Sequence, residues 1–186
     1  MGARALEFAV LTAARSGEVR GATWSEIDFD FDSALSTVSA QRMKSAREQR
    51  ALLNAPALNL LQAMQTSIDH QPTDFIFPGT RGLLSDKSHT SVLRHMKVEA
   101  TTHGFRSTFR NWAAEFTAHP NVMAELALAH AHAVGDKVGD KVDAACRSGD
   151  LFGKRVALMA DWARFLKLWG VLISWHVVSL LHGSSA

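Results

Sequence analysis

Tyrosine is missing from this chain of 186 residues, although it holds ten phenylalanines and five tryptophans. No side chain can therefore offer a phenol oxygen. Cysteine is almost missing too, and the single thiol, Cys146, cannot close an internal disulfide. A stapled secreted scaffold is excluded, and a reducing cytoplasm is the expected compartment. The opening MGARALEFAV has neither the charged start nor the long apolar stretch and cleavage site of a signal peptide. The most apolar stretch, Leu168 to Leu181, is 14 residues long. That falls short of the roughly 20 needed to span a bilayer, so no membrane partner is expected. A helix docked in a groove, on this chain or on a neighbour, suits it better.

What is present is an ordinary core-forming composition, 47% apolar and 20% charged, enough for one globular domain. The net charge is only +2, but it is unevenly spread. Residues 1–40 carry three basic and six acidic side chains, residues 41–50 four and one, and residues 81–110 six and two. The last block adds His89, His95 and His103. Two basic blocks on a nearly neutral chain are what a polyanion-facing side would show, or two solvated faces.

Periodicity predicts a mostly helical chain. Residues 4–14 read as an apolar helix closed by a break at Ser16-Gly17, and Glu18 to Trp24 as a second, short one. Leu35 to Ala40 and Arg50 to Leu53 read as strands joined by a basic turn that contains Lys44. Pro56 opens a helix whose buried face is Leu58, Leu61, Met64 and Ile68. Asp74-Phe-Ile-Phe-Pro-Gly is a short apolar piece closed by a turn, and Ser88 to Ala100 a helix with a basic outer face. Thr102 is placed to cap a helix with inner face Phe105, Phe109, Trp112 and Phe116. Pro120 starts another through Val122, Leu126 and Ala129, and a last helix runs from about Phe152 toward Leu181. The tandem GDKVGDKV of residues 135–142 is too short for a structural repeat and reads as an insertion.

Three stretches stand out in order: Ala13-Ala-Arg15-Ser-Gly-Glu-Val, then His103-Gly-Phe-Arg106, then Leu128-Ala-His130 followed by Asp143-Ala-Ala-Cys-Arg-Ser-Gly-Asp-Leu-Phe152. With Arg-Met-Lys44 between the first two, the set resembles the catalytic domain of tyrosine recombinases of the phage and prophage integrase type. The resemblance runs from about residue 5 to residue 165. It implies a mostly α fold with a small antiparallel β-sheet (α+β), the DNA breaking-rejoining fold, over residues 1–165, with residues 166–186 as an apolar helical tail. It also implies a further N-terminal core-binding domain, which residues 1–186 leave no room for.

The resemblance supplies a chemistry that needs these residue types. A DNA phosphodiester is attacked in line, and two arginines, Arg15 and Arg106, clamp the non-bridging oxygens with rigid, always-charged forks. Preorganised donors of this kind are each worth about 3–4 kcal/mol in the transition state. Lys44 corresponds to the general acid that protonates the departing 5′ oxygen. His103 and His130, or His132 as the alternative, correspond to the proton-relaying and phosphate-contacting positions. No metal and no nucleotide cofactor is called for. The implied partner is double-stranded DNA, with a homo-oligomer formed through the C-terminal tail.

The nucleophile is where the chain departs from the pattern, because the tyrosine position reads Cys146. A sulfur one carbon from the backbone cannot reach where a phenol oxygen reaches, and an error of ~1 Å can cost about a hundredfold. The interval to Cys146 is also long, 16 residues from His130 and 14 from His132. The doubled Ala-His and the doubled Gly-Asp-Lys-Val account for six of them. Strand cleavage is therefore expected to be lost, and a non-catalytic DNA-binding or assembly module is the second reading. A cysteine phosphatase would need an arginine about six residues after the thiol, where this chain has Phe152. A metal site built on His130 and His132 with His103 or His119 has a spacing that diverges on a helix.

Overall fold

The computed structural model describes residues 1–29, 35–42, 48–66, 70–128 and 149–168. Its organising element is α1 (Gly2–Thr12), which buries Ala5, Leu6, Phe8, Ala9, Val10 and Leu11. A helix apolar on nearly every side has to sit inside, and four further helices pack around it together with the short helix that follows. The turn closing α1 is made by Ala13, left-handed at φ 51°, not by Ser16-Gly17 as the sequence suggested. Ser16 and Gly17 instead begin α2 (Ser16–Arg20), with Arg15 extended at its head.

A single 3₁₀ turn at Trp24–Glu26 leads into the sheet. Its strands β1 (Ile27–Asp28), β2 (Leu35–Val38) and β3 (Gln49–Leu52) are antiparallel in that order, with Leu35 opposite Leu52 and Val38 opposite Gln49. The two predicted strands are thus both present. A second 3₁₀ turn, Ala40–Arg42, leaves β2 toward β3.

Asn54 then caps α3 (Ala55–Gln65), its Oδ1 accepting from the Ala57 N–H at 3.1 Å. Its Nδ2 donates to the Leu11 carbonyl at 2.7 Å, which ties α3 to α1. On this helix Leu60 and Leu61 are buried, and Ile68 lies outside the described residues. The apolar piece after Asp74 ends in a small hairpin, β4 (Pro78–Gly79) and β5 (Gly82–Leu83), turned by Gly82 at φ +98°.

Helix α4 (Ser88–His95) is shorter than expected, because Lys97 turns left-handed at φ 55°. Thr101, not Thr102, caps α5 (Thr102–Phe116), its Oγ1 accepting from the Gly104 N–H at 2.9 Å. After α6 (Asn121–Ala127) the described chain resumes in α7 (Gly149–Leu168). Phe109, Trp112, Trp162 and Phe165 form one aromatic cluster, with the Phe109 and Trp162 rings edge to face at 5.2 Å. The Trp162 indole N–H donates to the Val10 carbonyl at 2.9 Å, so α7 is fastened to α1 at the centre of the core. Phe116 departs from the predicted inner face and is 75% exposed, on the open wall of an apolar groove between α5 and α7.

His89 is a core residue that titrates. It is 1% exposed, and neither ring nitrogen has a partner among the described residues. Burial, and then the nearby charge of Arg20, lower its pKa from the ordinary 6.5. Below that value the unfolded imidazole takes a proton that the folded one refuses, so stability falls as the pH drops through it. Melting the parent and His89→Leu between about pH 7 and about pH 5 checks this. The parent is expected to lose more of its melting temperature, and parallel losses would assign the acid sensitivity elsewhere.

Candidate active site

The candidate site is built where the end of α1, the head of α2 and the first turns of α5 meet. The left-handed Ala13 swings the chain so that Arg15 stands at the start of α2. Glu18, three residues on, holds it twice. Its Oε2 accepts the Arg15 backbone N–H at 2.9 Å, and its Oε1 accepts from Arg15 Nη1 at 2.7 Å. An acid at the third position of a helix satisfies a donor that would otherwise lack a partner and complements the helix dipole. The Arg15 side chain stays about one-third exposed, 34%.

Arg106 comes from α5 and is nearly buried, at 6%. Its Nη1 donates to the Ala13 carbonyl, and its Nη2 to the Leu128 carbonyl at 2.7 Å. One guanidinium therefore bolts the strained turn that presents Arg15 to the end of α6. Burial, reinforced by the Arg15 charge, pushes its pKa down to about 10, against the opposing pull of Glu18. It stays charged at neutral pH, and a guanidinium has five donors, so those not spent on the two carbonyls can serve an anion. The two arginines are alike in the sequence but unlike in place: Arg15 is at the surface and Arg106 beneath it.

His103 lies one turn before Arg106 on α5 and is exposed. Positions three apart share a helix face, so it flanks the arginines. Gln49 of β3 donates to the Leu126 carbonyl at 3.3 Å. With the Arg106 bond to Leu128, this fixes the point where the chain leaves α6. Lys44, His130, His132 and Cys146 lie outside the described residues. His119, a ligand of the rival metal site, faces Asp161 at 2.8 Å. Among the described residues no group of three metal-ligating side chains occurs, and no helix is long and apolar enough to cross a membrane.

Glu18 has no role in the chemistry that the ordered motifs imply; its place three residues after Arg15, the spacing of a capping box, is the local signal for it. The described arrangement sets two fixed cations of graded exposure about one turn, one held by Glu18 and one by two carbonyls, with a histidine alongside, a donor set of the type that suits an oxyanion.

The sequence model of the phage integrase family matches residues 2–133. An integrase of Enterobacteria phage P4 is 30% identical over 185 residues, covering 88% of this chain and 40% of that protein. Prophage integrase IntZ of Escherichia coli (strain K12) is 31% identical over 131 residues, covering 68% of this chain and 31% of that protein. The chain thus spans well under half the length of these relatives. No solved structure gives a significant match.

Proposed function

Because the chain belongs to the phage integrase family, we propose that it is the DNA-phosphate-binding catalytic domain of a site-specific recombinase, acting in the cytoplasm, in which Cys146 no longer supports strand cleavage. The observation that carries this reading is the pairing of Arg15 and Arg106 about one turn. The buried guanidinium holds the Ala13 carbonyl, two residues before the exposed one, and feels its charge. A phosphate placed there meets one donor fork at the surface and a second from below, which is the arrangement in-line phosphoryl transfer needs. In this reading Lys44 supplies the proton to the departing oxygen, and His103 with His130 or His132 completes the set. Residues 1–165 form the catalytic unit.

The tail belongs to the same proposal. The groove between α5 and α7 exposes Phe116 and ends at Leu168, itself 80% exposed, where the apolar sequence of residues 169–181 begins. Contact between copies of the chain through that tail, with cutting lost, is the second reading.

Fluorescence anisotropy with a DNA duplex over a salt series tests the first. The parent is expected to bind more weakly as salt rises. Arg15→Ala should weaken binding and flatten the log–log slope by about one phosphate contact. A folded parent that does not bind at low salt would sink the proposal.

A further inference from the structure

A second arginine fork sits behind the first. Arg42, in the 3₁₀ turn that leaves β2, sends Nη1 to the Glu26 carboxylate and Nη2 to the Glu18 carbonyl at 2.8 Å. Glu18 is the residue whose carboxylate holds Arg15 on both its backbone and its side chain. A continuous path therefore runs from Glu26 through Arg42 and Glu18 to Arg15, joining the sheet edge to the head of α2. The close approach at Gly21 is a second, independent sign that the seat of Arg42 is built. A Cβ at Gly21 would lie 2.7 Å from Arg42 Nη2, although its φ of −96° suits any residue. What a side chain at this position would meet is the seated guanidinium, not a backbone restriction.

From this juxtaposition we infer that Arg42 is a positioning residue, which fixes Glu18 and through it the orientation of the phosphate-facing Arg15. The inference rests on the proposed DNA-phosphate role of Arg15. A lysine at this position keeps the charge, but its single ammonium cannot span the Glu26 carboxylate and the Glu18 carbonyl as the planar fork does. Alanine at Gly21 keeps Arg42 itself. It displaces only the far end of a flexible side chain, so folding is little affected while the Glu18 bond is lost.

The test compares the parent chain with Arg42→Lys, Arg42→Ala and Gly21→Ala. Two readouts are taken, duplex-DNA affinity over a salt series and the rate at which phenylglyoxal labels Arg15, followed by peptide mass spectrometry. Melting curves verify that each variant is folded. Arg42→Lys and Gly21→Ala are both expected to weaken DNA binding on the order of tenfold, the usual effect of losing an outer partner of a functional group. Gly21→Ala should keep the parent's salt slope, and Arg15 should be labelled faster in both. Loss of affinity confined to Arg42→Ala, with a flatter slope, would make Arg42 a phosphate contact and overturn the inference. Unchanged affinity and labelling in Arg42→Lys and Gly21→Ala would overturn it as well. A parent that fails to bind DNA would defeat the proposed function, while faster Arg15 labelling in Arg42→Lys and Gly21→Ala would still uphold the positioning role.

Discussion

Replacing Arg106 with alanine is expected to destabilise the domain far more than replacing Arg15, although both belong to the proposed phosphate site. Arg106 donates to the carbonyls of Ala13 and Leu128 from a site only 6% exposed. Its removal leaves two carbonyls without a charged donor, and hydrogen bonds to charged groups contribute roughly 1.5–3 kcal/mol each. A destabilisation of about 3 kcal/mol is therefore expected, lowering the melting temperature by roughly 6–12 °C for a chain of this size. The left-handed turn at Ala13 depends on the same guanidinium, and its relaxation would return part of the loss. A residue with a Cβ is held there at a cost of about 1–2 kcal/mol, and Arg106 is one of the groups that hold it. Arg106→Lys should recover part of the loss, since one ammonium can reach one carbonyl but not span both. Arg15→Ala should melt close to the parent, because Arg15 is partly exposed and its ion pair with Glu18 is a surface-type interaction worth about 1 kcal/mol or less. Circular dichroism melts of the three variants decide the matter. Equal melting temperatures for Arg106→Ala and the parent would mean that the two carbonyls find other donors.

The difference between these two arginines shows how far the sequence could be read. The ordered motifs were enough to pick both out, and the apolar run of residues 4–14 was enough to place a buried helix before the first. The depth of Arg106 was not legible, because it depends on Ala13 and Leu128, 93 and 22 residues away. Local signals failed where two residues compete for one role. Thr101 and Thr102 are equally good caps on composition, and only the backbone decides for Thr101. Ser16-Gly17 has the composition of a break, yet the chain turns at Ala13, whose left-handed φ nothing in an alanine announces. Phe116 keeps the spacing of Phe105, Phe109 and Trp112, but spacing does not say where the partner helix ends. Arg42 looked like one more charge in a basic turn. Its partner at Glu18 lies 24 residues earlier and is a backbone carbonyl, which no side-chain pattern encodes.

The second large effect concerns position 146. A nicked suicide duplex, from which a short strand diffuses away after cleavage, traps any protein that becomes covalently joined to the 3′ phosphate. The parent chain is expected to give no trapped species. Attack there needs an oxygen at the tip of a rigid ring. The thiol of Cys146 ends one carbon from the backbone, and a displacement of even ~1 Å from the attacking position costs about a hundredfold. Cys146→Tyr restores the ring and is expected to yield a covalent adduct, its phenol oxygen bonding to phosphorus as the bond to the 5′ oxygen breaks and that oxygen leaves with a proton from the proposed acid, Lys44. Deleting one copy of Gly-Asp-Lys-Val, residues 139–142, in that background shortens the interval from His130 and should speed the trapping. Adding Arg15→Ala should suppress it by about two to three orders of magnitude, the effect of removing one preorganised oxyanion donor. Denaturing gels with labelled DNA read these four chains and a fifth, Cys146→Ala. A trapped species from the parent that disappears in Cys146→Ala would make the sulfur a working nucleophile and reverse the reading of the domain as cleavage-defective. If Cys146→Tyr still binds DNA but traps nothing, even after the deletion, the loss lies in the arginine, lysine and histidine set and not in the nucleophile alone.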